Sequence, residues 1–467
     1  MLIDLLKSLS ETEILRFEEF LSSPYFNKAV YLKNYFLKLK DLHPHFQNFE
    51  DEKIAIFKSL YNKEYNDTTV RKLNSELLKL AEEFISINLF RSKSILKNSL
   101  LLEELDKRKN DKLFQKRLSE TYSLVENFSL KNEKYFKEMG VLNDAEILFH
   151  SMRDRRKGFS KYYTSIENLD KAYIIQKLKK IIILITEDRH FAKILKDRKE
   201  IESFIKLIQK NPYFEFPVIQ ILTNVIMINW EANEKYFHAL KQLLSRYKNE
   251  ISIDELEWAY FAMMNFIVFQ VNKGKKEFAK EELELYRNII SDNLLLYNDT
   301  LESVLFKNII SCAVDVGDLK FAEDFKDEYS RYILTDDKKD IVEYCNANIN
   351  YAKKQYSTAL ETLSKINFTD VNQKFSLRNL TLKIYYESEM YEQAILTIES
   401  YKQNLKREKT LPEGIKKLYS SFINLYQKIL KLKLTPGKYE AQALLKTILK
   451  TETIAKNWLL EQVSYLI

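Results

Sequence analysis

Glycine and proline are the residues that this sequence lacks most. The chain of 467 residues has 6 of each, whereas the two together make up roughly 12% of an average protein. Sandwiches, barrels and doubly wound sheets turn often, and they need these residues at their turns. The scarcity therefore excludes strand-rich folds and predicts an all-α chain.

The glycines are also too far apart to form a phosphate-binding loop. No two of them are closer than 18 residues, whereas a dinucleotide fingerprint or a P-loop needs several glycines within one turn. The sequence also has no Gly-x-Ser-x-Gly segment and no cysteine near a histidine, the patterns typical of activated nucleophiles. We therefore expect a non-enzymatic protein without a cofactor. Catalytic residues assembled from distant helices would leave no such motif, so an enzyme is the third hypothesis.

Cysteine and histidine are rare, and they do not form metal-binding motifs. The sequence has 2 cysteines and 5 histidines, with no Cys-x-x-Cys and no His-x-x-x-His. This pattern predicts that no structural zinc site is present. We interpret His43 and His45, which flank Pro44, as part of a solvated turn, and Cys312 and Cys345 as small buried side chains.

Long apolar runs and an export signal are also missing. Uninterrupted apolar runs, such as the one near residues 181–185, are far short of the roughly 20 residues that span a bilayer. Asp4 interrupts the short apolar start, and no basic residue precedes it, unlike in a secretory signal. We therefore expect a cytoplasmic protein with no membrane partner.

The charges are nearly balanced in number but unevenly distributed. Lys and Arg number 74 and Asp and Glu 67, a net charge of +7. Residues 251–343 hold 11 basic and 20 acidic residues, whereas residues 402–450 hold 12 basic and 3 acidic residues. This asymmetry predicts a basic partner for the acidic stretch, or self-association between the two stretches.

Proline and capping patterns predict three regions. Ser10 and Glu13 form a capping box at the start of a bundle of four amphipathic helices over residues 1–92. Over residues 93–210 the sequence predicts longer, charged helices. The clearest boundary is the segment that follows, because it contains two prolines, Pro212 and Pro217. Residues 211–467 form the third region.

Glycines predict helix breaks in the middle region, and apolar spacing predicts two helices late in the third region. We expect helix breaks near Gly140 and Gly158 in the middle region. In the third region, apolar spacing predicts a helix over 413–434 and one final helix over 439–461. These last two helices would cap the end of the region.

A repeat begins after residue 217. Five alanines recur at intervals of 35 to 43 residues, each near the start of a helix that follows a helix rich in large apolar residues. They are Ala239, Ala279, Ala322, Ala359 and Ala394. Such a period predicts stacked helical hairpins, and a small side chain allows the two helices of a hairpin to approach closely.

These residues resemble the tetratricopeptide repeat family. The aromatic residue three positions before the alanine is present at Tyr236, Tyr356 and Tyr391, and a turn glycine is present at Gly274 and Gly317. The resemblance covers about residues 217–401. It departs from the family in its irregular period and in the missing tryptophan-leucine-glycine start and terminal proline. It implies an α-α superhelix, or solenoid, of helical hairpins.

The concave surface of such a superhelix, lined by the first helix of each hairpin, is where the family binds peptides. Asparagine amides there can bond to an extended peptide backbone, and this predicts Asn308, Asn348, Asn379 and Lys383 as binding residues. Our first hypothesis is therefore a protein-protein interaction scaffold or adaptor that binds a peptide or a partner helix.

One basic cluster offers an alternative hypothesis. It comprises Arg153, Arg155, Arg156 and Lys157, and the aromatic residues Tyr162 and Tyr163 follow it. Arginines and aromatic rings can grip phosphates and stack on unpaired bases. They can equally pair with acidic residues of this chain or of a protein partner. A nucleic-acid-associated regulatory protein is therefore the second hypothesis, with nucleic acid the less favoured partner.

Overall fold

The computed structural model describes residues 1–46, 49–191 and 198–467. Within these ranges the regular structure is entirely helical, and one isolated bridge joins Tyr297 and Thr300. The all-α prediction is therefore confirmed. The described residues form two compact units, Met1–Ala172 and Tyr173–Ile467. The division into three regions stays a prediction.

The first unit contains the helices α1 to α8 and the start of α9. Their bounds are α1 (Leu2–Ser8), α2 (Glu11–Ser22), α3 (Val30–Lys40), α4 (Phe49–Tyr61), α5 (Asp67–Ser92), α6 (Ser94–Lys107), α7 (Asp111–Glu126), α8 (Glu133–Ser151) and α9 (Arg155–Phe191). Helix α2 begins at the predicted capping box, where Ser10 N–H donates to Glu13 Oε2 over 2.9 Å. Phe17 of α2 and Phe36 of α3 are fully buried, with ring centroids 4.9 Å apart. Helices α1, α2 and α3 pack on α5 around these rings.

The helix break expected near Gly140 is absent, because this glycine lies inside α8, and the break near Gly158 falls at residues 152–154, so that Gly158 itself lies inside α9. A Cβ at Gly158 would lie 3.2 Å from the Cβ of His150 and 3.5 Å from the carbonyl oxygen of Ile147. The missing side chain therefore allows the two helices to approach closely. An isolated glycine costs a helix about 1 kcal/mol relative to alanine, which tertiary packing can offset.

The second unit contains the rest of α9, the short 3₁₀ helices Pro212–Glu215, Lys248–Glu250 and Ser330–Tyr332, and helices α10 to α23. The bounds are α10 (Arg198–Gln209), α11 (Pro217–Glu231), α12 (Glu234–Tyr247), α13 (Ile253–Asn272), α14 (Glu277–Ser291), α15 (Ser303–Val316), α16 (Leu319–Tyr329), α17 (Lys338–Ala352), α18 (Tyr356–Ser364), α19 (Val371–Glu387), α20 (Tyr391–Arg407), α21 (Glu413–Leu434), α22 (Lys438–Lys450) and α23 (Lys456–Ser464). Pro217 is the first residue of α11, where its missing N–H costs no hydrogen bond.

Neighbouring helices of the second unit pack in pairs. The pairs are α11–α12, α13–α14, α15–α16, α17–α18 and α19–α20. Successive pairs also touch, through α11–α13, α14–α15, α15–α17, α17–α19 and α20–α21. Sequential packing of this kind is consistent with the predicted helical repeat.

The turns inside these five hairpins share one backbone conformation. A residue with positive φ follows the first helix of each hairpin: Ala232 (50°), Gly274 (91°), Gly317 (88°), Lys354 (60°) and Glu389 (60°). In the last four, the next N–H bonds to a carbonyl five residues earlier, as from Asp318 to Ala313 over 2.9 Å. This left-handed cap satisfies carbonyls that the helix end leaves free. Only two of the five turns use the glycine that the resemblance implies.

The alanines occupy the hairpin interface in three of the five hairpins. Ala322, Ala359 and Ala394 are fully buried. Ala239 and Ala279 are half-buried, and the neighbouring rings of Phe237 and Phe278 are buried instead. The first two hairpins therefore bury a phenylalanine where the later ones bury a methyl group.

The predicted final helix over 439–461 is wrong, because the chain forms two helices there, α22 and α23. The connection between them contains the buried Thr453, and Ala455 has a φ of 49°. The reversal allows both α22 and α23 to pack on α21. In α23, Trp458 stacks on Tyr426 of α21 with ring centroids 5.8 Å apart.

In the described part of the chain, no helix combines the length and the apolar character that crossing a membrane requires.

Candidate functional site

Arg153, the first residue of the predicted basic cluster, forms hydrogen bonds and ion pairs within the first unit. Its guanidinium donates to Asp106 and to Asp111, each over 2.7 Å, and to the carbonyl oxygen of Phe149 over 2.8 Å. It also lies 3.9 Å from the centroid of the Phe149 ring. Hydrogen bonding to Arg153 lowers the pKa of Asp111. Arg153 therefore holds the ends of α6 and α8 and the start of α7 together.

The other three basic residues of the cluster are exposed at the start of α9. The side chains of Arg155, Arg156 and Lys157 form no ion pair or hydrogen bond with the described residues. The rings of Tyr162 and Tyr163, one to two turns further along, are 48% and 69% exposed. The cluster thus splits into one structural arginine and three free cations.

The predicted binding residues of the second unit lie on the first helices of three successive hairpins. We define the first-helix face as the polar side chains of α15, α17 and α19 that contact one another or lie beside those contacts. They are Asn308, Ser311, Asp315, Tyr344, Asn348, Tyr351, Lys383 and Glu387.

Several bonds join the three helices across this face. Asn348 of α17 donates to Ser311 of α15 over 3.1 Å. The hydroxyl of Tyr344 donates to the carbonyl oxygen of Ser376 in α19 over 3.5 Å, and the hydroxyl of Tyr351 donates to Glu387. The face is therefore a hydrogen-bonded surface that spans three hairpins.

The four predicted binding residues have different environments. Asn308 is exposed. Lys383 is half-buried, and its charge partly opposes the rise in the pKa of Asp315 that loss of hydration causes. Asn348 is 9% exposed and bonded to Ser311. Asn379 accepts a hydrogen bond from Tyr401 of α20 over 2.7 Å, so it joins the two helices of its own hairpin.

Asp315 lies on the first-helix face. Its side chain is exposed, and partial loss of hydration next to the surrounding protein raises the pKa of its carboxyl group above the usual value. Glu282 of the preceding hairpin is half-buried, and its pKa is raised to about 7 by burial and by repulsion from Asp315.

Ion pairs between successive hairpins neutralise part of the acidic charge of residues 251–343. Lys241 of α12 contacts Glu281 and Glu284 of α14 over 2.5 and 2.8 Å. Arg287 of α14 in turn pairs with Asp318 at the start of α16. These pairs connect neighbouring second helices, so the predicted basic partner would meet a partly neutralised surface.

The basic stretch 402–450 contributes to an open recess between α20 and α21. Four lysines line it: Lys402, Lys406, Lys416 and Lys417. Lys402 donates to Gln427 over 2.6 Å, and Lys416 lies 3.5 Å from Glu413. The lysines therefore belong to the surface of α20 and α21.

Within the described ranges, no group of three His, Cys, Asp or Glu side chains could hold a metal ion. His43 bonds through Nε2 to the carbonyl oxygen of Leu9 over 2.9 Å. Cys312 and Cys345 are buried free thiols, and burial raises the pKa of both, that of Cys345 to about 12. Thiols of this kind are poor nucleophiles at neutral pH.

Sequence reasoning missed Glu387, where four helices meet. Its carboxylate accepts hydrogen bonds from Tyr351 of α17, Tyr356 of α18 and Trp458 of α23, the last two over 3.0 and 2.7 Å. No local sequence pattern identifies Glu387 as a junction, because its partner Trp458 lies 71 residues away in the sequence.

Comparison of the chain with protein-family models, with curated proteins and with solved structures finds no match.

Proposed function

We propose that the chain is a non-enzymatic interaction scaffold or adaptor. In this proposal the hairpins of residues 211–467 form a tetratricopeptide-like superhelix, and the first-helix face binds a peptide or a partner helix. Two buried free thiols fit a reducing compartment, and we place the protein in the cytoplasm.

The observation that carries this proposal is the group of polar side chains around Asp315 on the first-helix face. The exposed carboxylate of Asp315 and the exposed amide of Asn308 both lie on α15, and the half-buried Lys383 lies on α19. Donors and acceptors of this kind can bond to the backbone of an extended segment. Asp315 favours a partner that presents a basic group at this point.

The experiment is recovery of partners from native lysate with the tagged full chain. Half of the lysate is treated with nuclease, and both halves are washed in a salt series. We expect a defined protein partner to survive nuclease and moderate salt. Asn308→Arg, which places a bulky cation on the first-helix face, should reduce recovery of that partner about tenfold or more.

Gln393→Arg is the matched control. Gln393 is an exposed amide on α20, the second helix of its hairpin, so this variant adds the same charge away from the first-helix face. Equal recovery by both variants and the unmodified chain would exclude the face as the binding site.

Nucleic acid is the alternative partner, and the free cations Arg155, Arg156 and Lys157 next to exposed rings favour it. Binding to phosphates releases counterions, so affinity would fall steeply with salt. Reversing all three charges should then abolish retention on an immobilised oligonucleotide. Retention that is unchanged by the reversal would remove this surface as a nucleic-acid site.

A further inference from the structure

The exposed side of α9 carries an apolar stripe with a charged group at each end. We define the outer face of α9 as eight exposed side chains on one side of the helix. They are Arg155, Arg156, Phe159, Tyr162, Tyr163, Ile166, Leu169 and Asp170. Five of these recur at alternating steps of three and four residues, from Arg156 to Asp170, which is the spacing of a helix-pairing seam.

The outer face has no partner within the first unit, because the opposite side of α9 makes the contacts there. Gly158 lies against His150 of α8, Ser165 donates to Asp144 over 2.6 Å, and Asn168 is buried. Phe159 remains 64% exposed and Leu169 67%. A contiguous exposed apolar stripe of this kind marks an interaction surface.

The charges of the outer face are self-complementary. The basic end has Arg155 and Arg156, and Asp170 lies at the other end; none of the three forms an ion pair with the described residues. Tyr163 is equally far from Arg156 and from Asp170. An antiparallel copy of the helix would therefore place its acidic end against the basic end, whereas a parallel copy would oppose like charges.

We propose that two copies of this chain associate through the outer faces of α9, antiparallel about a twofold axis near Tyr163. The same patch then serves both subunits, as a closed twofold interface requires. The rings of Phe159 and Tyr163 form its apolar centre, and the arginines of each copy pair with Asp170 of the other.

The acidic end argues against nucleic acid as the occupant. A phosphate backbone laid along α9 would gain contacts at Arg155 and Arg156 but would be repelled by Asp170 about four turns further on. A second copy satisfies both ends at once. Nucleic acid is therefore an outcome of the test and not the proposal.

Sedimentation equilibrium of the full chain over a range of concentrations, up to roughly 100 μM, tests the association. Phe159→Asp and Ile166→Asp should each weaken it about tenfold or more, because each places a charge in the apolar centre. Leu207→Glu is the control: Leu207 is 67% exposed on α10, and its replacement should leave association unchanged. Circular dichroism of each variant checks that the fold is intact.

A charge exchange tests the antiparallel order. Arg156→Asp and Asp170→Arg should each weaken association several-fold, and the double variant should restore it. Restoration identifies a second copy as the occupant, because a different partner would not carry the compensating change.

A cysteine at the proposed axis tests the register, since both native cysteines are buried. Oxidised Tyr163→Cys should form a covalent dimer. Asp170→Cys alone should not, because two antiparallel copies of this residue would lie about 21 Å apart along the helix. Asp170→Cys mixed with Arg156→Cys should again form a covalent dimer.

Two results would overturn the proposal. One is a chain that sediments as a monomer at all concentrations, including in the presence of an oligonucleotide that binds it. The other is a dimer whose affinity is unaffected by Phe159→Asp and Ile166→Asp while both variants stay folded.

Discussion

The first-helix face of α15, α17 and α19 and the outer face of α9 differ in how their polar groups are satisfied. On the first-helix face, Asn348 bonds to Ser311, and Tyr351 bonds to Glu387. On the outer face, Arg156 and Asp170 form no ion pair with the described residues. The comparison separates bonded groups such as Asn348 and Glu387, which hold hairpins together, from exposed groups such as Asn308 and Asp170, which remain available to a second molecule.

Substitutions of the two kinds of group should therefore change different quantities. A group bonded across helices should affect the free energy of unfolding when it is removed, because its partners stay behind unsatisfied. An exposed group without a partner should affect association alone. Three predictions test the stability side of this comparison.

The largest effect is expected at Glu387. Replacement by alanine removes the acceptor of Tyr351, Tyr356 and Trp458. We expect Glu387→Ala to lower the free energy of unfolding by about 3 kcal/mol, since each half-buried donor left without a partner costs about 1 kcal/mol or more. Urea unfolding at neutral pH measures it.

Asp170→Ala is the matched control on the outer face. At concentrations low enough that the chain is monomeric, we expect its unfolding free energy to stay within about 0.5 kcal/mol of the unmodified chain. A similar loss in both variants would break the comparison, because it would show that Asp170 supports the fold.

The second effect is a pH dependence that arises at Glu282. Its pKa rises from 4.5 to about 7 on folding, so the folded chain holds this proton while the unfolded chain has lost it. Stability should be complete below about pH 4.5 and fall as the pH rises towards 7. At 1.36 kcal/mol per pKa unit, and allowing for partial exposure, the loss is about 2 kcal/mol.

Glu282→Gln should therefore stabilise the chain by about 2 kcal/mol at pH about 8 and by little at pH about 4. Glu277→Gln, on the exposed side of the same helix, supplies the control for charge alone. If the two variants show the same pH dependence of stability over the whole range, burial and Asp315 do not perturb Glu282.

The smallest effect concerns the hairpin turns. Gly317 has a φ of 88°, and a Cβ there would meet nothing within 4 Å, so Gly317→Ala tests backbone conformation alone. We expect it to destabilise the chain by about 1 kcal/mol. Lys354 has a φ of 60° in the corresponding turn, and Lys354→Gly should stabilise it by about 0.5 kcal/mol. Thermal unfolding of both variants measures the two effects. A change of the same sign in both variants would show that the two turns are not equivalent.

Local patterns predicted the helical class and several helix starts. The scarcity of glycine and proline excluded sheets, and the capping box at Ser10 and Glu13 forms as expected. Ala322 and Ala359 are buried as the repeat predicted. These features depend on residues within one or two helical turns, where sequence spacing and spatial distance agree.

Contacts between distant residues could not be predicted in this way. Arg153 was one member of a basic cluster in the sequence, but its acidic partners lie 42 and 47 residues away. Gly158 was interpreted as a helix break, because the approach of His150 that makes it useful is visible only in three dimensions. The partners of a side chain, and not its type, decide whether it is structural or free.

The bonding of Glu387 has a consequence for synthesis of the chain. A ribosome releases residues in order, so the hairpin of α17 and α18 and the helix α19 emerge before Trp458, which follows Glu387 by 71 residues. Until then the carboxylate has two of its three donors. A nascent chain halted within those residues would therefore hold its last hairpins less firmly than a chain that includes α23, because α23 supplies the third donor of a junction formed earlier.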